Sequence, residues 1–82
     1  MSKVVDEPIT LLQPQVQSGG GFVWRDREHR IRQVGGSWSR GGRWWRGEGY
    51  RTYIRITTLE NLALDLCYDE LGQYWTVAEL MD

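Results

Sequence analysis

The chain has 82 residues, 40% of them hydrophobic and 26% charged, with a formal net charge of −1; a single small domain of this length buries only about 60% of the surface it exposes when unfolded. No apolar run approaches the roughly 18 residues that a helical membrane span needs, and a single cysteine, Cys67, excludes an internal disulfide. With no charged-then-apolar leader at its start, the sequence reads as a soluble, cytoplasmic protein without a membrane partner.

Residues 1–5 read as a loose tail. Pro8-Ile9-Thr10-Leu11-Leu12 alternates weakly, as a short edge strand does, with Pro8 at a first position where its missing N–H is tolerated. Residues 13–21 read as a loop, and its closing Ser18-Gly19-Gly20-Gly21 has the composition of a flexible linker or of a wide hairpin connection. Phe22 to Val34 reads as a hairpin. A two-residue turn at Asp26-Arg27 pairs Trp24 with His29 and Phe22 with Ile31 on an apolar face, and sends Val23, Arg25, Glu28, Arg30 and Arg32 to the other.

Residues 35–49 hold six of the ten glycines and lack sustained periodicity, so they read as a long loop with a strand end near Trp38. Arg51 to Thr57 alternates as a strand, with Thr52, Ile54 and Ile56 inward and Arg51, Tyr53 and Arg55 outward. Two readings compete for residues 59–66. Thr57 and Glu60 have capping-box spacing and Leu59, Leu62, Ala63 and Leu66 recur at helical intervals. Leu62, Leu64, Leu66 and Tyr68 also alternate as a strand that returns through a turn at Asp69-Glu70-Leu71-Gly72, setting Leu66 against Trp75 and Leu64 against Val77. The strand is preferred because its neighbours are strands. The expected architecture is a single, mainly β domain of five or six antiparallel strands, closed into a small barrel or strongly bent so that its edges are covered.

The net charge conceals a polarised sequence. All nine arginines lie within 25–55 against Asp26, Glu28 and Glu48, a local charge of about +6, whereas residues 56–82 carry six acids and no base, about −6. Trp38, Trp44 and Trp45 stand in the basic segment, among Arg40, Arg43 and Arg46, and guanidinium with indole is the chemistry of phosphate forks and base stacking. Adjacent Trp44 and Trp45 point to opposite sides of an extended chain, so one is expected inside and one outside. On the expected sheet Arg25, Arg30, Arg32, Arg51 and Arg55 share a face with Tyr53, which suits a nucleic-acid backbone with one stacked base. The opposing reading is a solvated, internally paired face: with Ile56 opposite Leu62, Asp65 lies opposite Tyr53 and diagonal to Arg55.

Nothing in the sequence points to catalysis. His29 has no histidine or nucleophile partner at motif spacing and reads as a satisfied rim residue, and Cys67 lies on the Asp65 side of its strand, near acids that raise a thiol pKa. Gly41-Gly42-Arg43 and Gly47-Glu48-Gly49 lack the lysine and strand-to-helix context of a phosphate loop, and one histidine with one cysteine makes no zinc set. No cofactor, metal or catalytic residue is expected.

Several pieces recur in a recognisable order: Glu7-Pro8-Ile9, Phe22-Val23-Trp24-Arg25 followed by Arg30-Ile31-Arg32, Trp44-Trp45, Arg51-x-Tyr53-x-Arg55, and Leu64-x-Leu66-x-Tyr68 with Gly72 and Trp75. In this order the chain resembles a small bacterial domain family of unknown function, which occurs free-standing and as a C-terminal extension of Y-family translesion DNA polymerase homologues. It departs from the pattern at Ile54, where a second aromatic is common, and in a more glycine-rich 35–49 segment. The resemblance implies a DNA-repair or damage-tolerance context and supplies no catalytic residue. The sequence is thus expected to encode a nonenzymatic nucleic-acid-binding accessory module, taking single-stranded or duplex DNA with arginines on phosphates and loop tryptophans on bases. The other reading is a protein-interaction module whose Arg/Trp surface docks on an acidic partner, or on the acidic half of its own copy to form a homodimer.

Overall fold

A computed structural model describes residues 2–41 and 49–81. Six antiparallel strands, β1 (Ser2–Leu11), β2 (Gly21–Trp24), β3 (Arg27–Arg40), β4 (Arg51–Thr58), β5 (Ala63–Asp69) and β6 (Tyr74–Met81), follow one another around a closed barrel in which β6 returns to β1. The expected mainly β, antiparallel architecture is the one observed, and 63–69 is strand.

The β2–β3 hairpin shows how the sequence sorts itself. Arg25 and Asp26 form the two-residue turn, with φ of 54° and 60°. Positive φ at both central positions is the mirror-image turn whose twist matches that of paired strands. Phe22 therefore faces His29 and Trp24 faces Arg27, two residues away from the pairing expected from a turn at Asp26-Arg27. A shift of two preserves every side-chain face, so Phe22, Trp24, His29 and Ile31 are all buried while Arg30 and Arg32 are exposed.

β1 and β3 turn the corners of the barrel. β1 pairs with β6 through residues 2–9 and with β2 only at Thr10 and Leu11, and Pro8 lies outside the short β2 pairing. A bulge between Val4 and Glu7 bends the strand at Asp6, whose φ is 51°. The expected loose tail at 1–5 is thus strand from Ser2 onward, because the end of β6 supplies a backbone partner. β3 pairs with β2 through Arg27–Arg30 and with β4 from Ile31 to Arg40, bending at irregularities after Ile31 and Val34. The expected loop at 35–49 is corrected likewise: the second bulge absorbs Gly35 and Gly36, so the strand continues through Trp38 to Arg40.

The glycines of the β1–β2 connection are likewise built into the ladder. Gly19 N–H donates to the Ile31 carbonyl at 2.8 Å, Ile31 N–H to that of Gly20 at 2.8 Å, and Gln13 Oε1 accepts from Gly21 N–H at 2.7 Å. A Cβ on Gly20 would lie 2.7 Å from Gln13 Cδ, so glycine there makes room for the side chain that ties the loop down. The expected loop at 13–21 is therefore a tethered connection that ends one residue early, since Gly21 opens β2.

Thr58 builds the β4–β5 corner: its N–H donates to the Leu62 carbonyl at 2.9 Å and its hydroxyl accepts from Leu62 N–H at 3.2 Å. This turn sets Ile56 opposite Leu64, again two residues from the expected partner. At the β5–β6 end the Asp69 carboxylate accepts from Leu71 and Gly72 N–H groups, and Leu66 pairs with Val77.

The interior is filled by Phe22, Trp24, Ile31, Ile56, Leu64, Leu66 and Val77, with Ile9 at its edge. Full burial of each such side chain is worth about 1.5–3 kcal/mol. His29 belongs to this layer. Its ring stacks on Phe22 at 5.4 Å, tilts against Trp24 at 5.7 Å, and Nδ1 meets the Glu60 carboxylate at 3.1 Å. It is satisfied as expected, and more deeply buried than a rim residue.

The faces predict that Trp24→Ala costs about 3–5 kcal/mol, enough to unfold a domain of this size, while Arg30→Ala costs under about 1 kcal/mol; thermal melts of the two variants check this. The turn predicts a gain. Asp26→Gly removes a side chain from a left-handed position and should raise stability by about 0.5 kcal/mol, read as a higher denaturant midpoint at unchanged slope.

Candidate functional site

Alternation along β4 sends Arg51, Tyr53 and Arg55 outward, and the pairing puts specific neighbours beside them. Trp38 on β3 lies directly opposite Tyr53, Arg40 opposite Arg51, and on the other side Asp65 opposes Arg55, Cys67 opposes Tyr53 and Asp69 opposes Arg51. Trp38 and Tyr53 stack with ring centroids 5.6 Å apart and planes 8° from parallel. The Arg55 guanidinium lies over Trp38 and that of Arg40 over Tyr53, each 5.5 Å from the ring centroid. Four residues from two strands thus form one ladder, with cation–π contacts at both ends.

β5 is buried on both faces. Leu64 and Leu66 enter the core, while Asp65 and Cys67, on the outside, are only 4% and 6% exposed. Beside them Thr76 and Ala78 on β6 are short, so the outer surface sinks along β5 and β6 between the β3–β4 ladder and β1. A hollow of about 250 Å³ bounded by Trp38, Tyr53, Arg40, Glu79 and Asp6 continues into a smaller one of about 100 Å³ that reaches Cys67, Thr76 and Tyr74. Asp6, Arg51, Tyr53 and Ala78 line both, making one groove.

Charge in this groove is divided by wall. Asp65, nearly buried, is held by a two-pronged fork, with Arg55 Nε donating to Oδ1 at 2.8 Å and Nη2 to Oδ2 at 3.2 Å. A carboxylate at this depth requires such a partner. Arg51 reaches Asp69 only at 3.7 Å, and Arg40 makes no ion pair among the described residues. Arg40 and Arg51 nevertheless stand directly opposite one another, a like-charge cross-strand pair that costs stability unless an anion shares it. Burial is the main force that pushes the Cys67 thiol up, opposed by hydrogen bonding to Tyr53 and by Arg51; the neighbouring acid Asp69 contributes least. The thiol is thus held protonated, as expected, but chiefly by burial and only slightly by acids.

Residues 1–82 match a family described as a domain of unknown function, DUF6504. The chain belongs to that family. Membership bears out the resemblance to a small domain family of unknown function, while no curated protein and no solved structure matches the chain. Among the described residues of this DUF6504 domain no helix is long and apolar enough to cross a membrane, and no three His, Cys, Asp or Glu side chains gather as a metal-binding group.

The residues singled out in the sequence divide into three groups. Trp38, Arg40, Arg51, Tyr53 and Arg55 converge on the groove. Arg25 and Arg30 are engaged elsewhere, Arg30 with Glu28 at 2.7 Å and Arg25 with Glu7 across the β1–β2 seam, while Arg32 is exposed at the first β3 bend. The expected face shared by Arg25, Arg30, Arg32, Arg51 and Arg55 with Tyr53 is thus divided, since the ring of strands spreads outward residues around its circumference and only Arg51 and Arg55 flank Tyr53 on β4. Arg43, Trp44, Trp45 and Arg46 lie outside the described residues, as does the question of which tryptophan is buried. Sequence reasoning missed Asp6 and Glu79, the acidic wall of the groove. Glu79 reaches the groove through the β5–β6 register, opposite Asp65 and so beside Arg55, whereas Asp6 reaches it only through the β1–β6 pairing, which nothing local in the sequence marks.

At the seam Glu7 acts as a clasp. Its Oε1 accepts from Trp24 Nε1 at 3.1 Å and from Arg25 Nε at 2.7 Å, while Oε2 accepts from Arg25 Nη2 at 2.7 Å. The Arg25 hydrogen bonds hold the Glu7 carboxyl below the usual carboxylate range, against a smaller opposing effect of burial and with a further contribution from Trp24. Because the folded pKa is the lower one, this stabilisation is full above the unfolded value, about 4.3, and is lost as pH falls through the folded value. The melting temperature should therefore fall more steeply on acidification below about pH 4.5 in the native protein than in Glu7→Gln, whose acid limb should be flatter.

Proposed function

We propose that this domain is a nonenzymatic nucleic-acid-binding accessory module that takes a single strand in the groove beside β4, and that it serves in DNA repair or damage tolerance. One observation carries the reading: the stacked Trp38–Tyr53 pair stands beside two directly opposed arginines, Arg40 and Arg51, at the wall of an open groove. Aromatic faces accept bases of any sequence, here by displacing the Arg40 guanidinium that lies over Tyr53, and a phosphate between Arg40 and Arg51 relieves their like-charge contact. The groove is one-sided in its basicity, which suits a strand lying with its phosphates along β3–β4 and its bases across the floor. The repair context rests on the resemblance to domains that extend translesion polymerases. Support for a nonenzymatic role comes from His29, the lone imidazole, which is committed to Glu60 inside the core, and from Cys67, whose thiol is kept protonated.

A second reading has an observation of its own. Arg25, Arg30, Arg51 and Arg55 all face carboxylates of the same chain, so the basic segment is partly neutralised and phosphate affinity is limited. A protein-interaction module that docks an acidic partner, or a second copy of the chain, needs fewer free charges.

Titration with a short fluorescent oligothymidine and with a duplex at several salt concentrations separates the two. Single-strand binding should show a log–log salt slope of only about −0.7 to −1.5, one or two phosphates on Arg40 and Arg51, rather than the slope of a polybasic surface. Tyr53→Ala should weaken it by about 1–3 kcal/mol, and Arg40→Gln should reduce the slope by about 0.7. No binding to either oligonucleotide, together with saturable binding of polyglutamate that Arg40→Gln abolishes, would replace the first reading with the second.

A further inference from the structure

We infer that the groove selects guanine among the four bases of a single strand and that Asp6 is the residue that reads it; this rests on the single-strand reading proposed above. Asp6 sits in the β1 bulge between Val4 and Glu7 with φ of 51°. A bulge re-aims one side chain relative to the regular alternation, and non-glycine residues in the left-handed region concentrate at working sites. The result here is a carboxylate on both hollows of the groove, across from Tyr53 and Arg51.

Of the other carboxylates nearby, Asp65 and Asp69 are committed, while Glu79 lines the larger hollow without an ion pair or side-chain hydrogen bond among the described residues; Asp6 alone of the four lines both hollows. Asp65 has both oxygens on Arg55, and Asp69 accepts from two backbone N–H groups of its turn. Among the described residues Asp6 makes no ion pair or side-chain hydrogen bond. A ligand that satisfies the whole groove therefore offers an anion to Arg40 and Arg51, a flat face to Tyr53 and Trp38, and N–H donors at its far edge to Asp6. A nucleotide has these in that order: phosphate, base face, base edge. At about 250 Å³ the larger hollow is below the roughly 300–1,000 Å³ of a drug-sized pocket, as befits one base.

Among the four bases, guanine alone presents two adjacent donors, N1–H and the 2-amino group, which fit the two oxygens of one carboxylate as a fork. Cytosine and adenine place a ring acceptor beside their single amino donor, and thymine flanks its one N–H with two carbonyl oxygens; each sets a lone pair against the carboxylate. Two parallel charge-assisted hydrogen bonds are both the stronger and the more selective arrangement.

Fluorescence anisotropy comparing an oligothymidine with the same strand carrying one central guanine, inosine or cytosine tests this on the intact protein. The guanine strand should bind about tenfold tighter than oligothymidine, the discrimination of one forked contact. Inosine, which lacks the 2-amino group, should lose most of that gain on the native protein. Asp6→Asn keeps a residue type that tolerates the left-handed backbone, so it should melt like the native protein and bind all four strands alike. Oligothymidine binding without a guanine preference, or a preference that Asp6→Asn retains, overturns the selection and leaves the single-strand reading standing. Failure of every strand to bind overturns both.

Discussion

The structure depends on a four-residue strand. β2 (Gly21–Trp24) bonds to β3 along its whole length and to β1 at only two positions, and without it the other five strands form an open, curled sheet with two exposed edges. Its two inward residues, Phe22 and Trp24, carry aromatic bulk that the short strand itself cannot supply in hydrogen bonds. The weak seam is reinforced from both ends. Gln13 and the paired glycines hold the β1–β2 connection against Ile31, and Glu7 crosses the seam to Trp24 and Arg25. An arginine that looks like a phosphate ligand in the sequence is, in the fold, part of the closure.

The groove runs along β5, whose outer face, Asp65 and Cys67, is nearly as buried as its inner one, so a polar floor lies where an ordinary surface strand would be solvated. Desolvating Asp65 there costs more than a surface ion pair returns, and Arg55 is accordingly committed to it by a two-pronged fork. This commitment decides which cations remain for a ligand. Among the described residues Arg40 does, and Arg51, held only loosely by Asp69 at 3.7 Å, faces it across the β3–β4 ladder, while the aromatic pair beside them is held by the cross-strand register.

The side-chain faces were legible in the sequence and the turns were not. Phe22 pairs with His29 instead of Ile31, Ile56 with Leu64 instead of Leu62, and Leu66 with Val77 instead of Trp75. Each differs by two residues, an even displacement that alternation cannot detect because it returns every side chain to the same face; Leu64, expected opposite Val77, instead pairs with Leu80, three residues away, because a bulge lies between Asp65 and Leu66. The cause lies in turn chemistry: Arg25, Asp26, Asn61 and Gln73 adopt left-handed backbone without glycine, so the usual sequence marks of a hairpin are missing. Gly35 and Gly36 mislead in the opposite direction, entering a strand through a bulge. Of the site, the aromatic and basic wall was visible as Arg51-x-Tyr53-x-Arg55 with Trp38 and Arg40. The acidic wall was invisible, because Glu79 comes beside Asp65 only in the observed β5–β6 register and Asp6 joins it only through the β1–β6 pairing.

On the proposed function, a single strand binds the outer groove beside β4, and the arginines of the β2–β3 hairpin serve the scaffold. Amide and indole chemical-shift mapping with a short single strand tests it most directly. Perturbations should be confined to Asp6, Trp38, Arg40, Arg51, Tyr53 and their neighbours, with the amides of Arg25, Arg27 and Arg30 unmoved. Shifts centred on the hairpin arginines, with the Trp38 indole and Tyr53 unaffected, would contradict it.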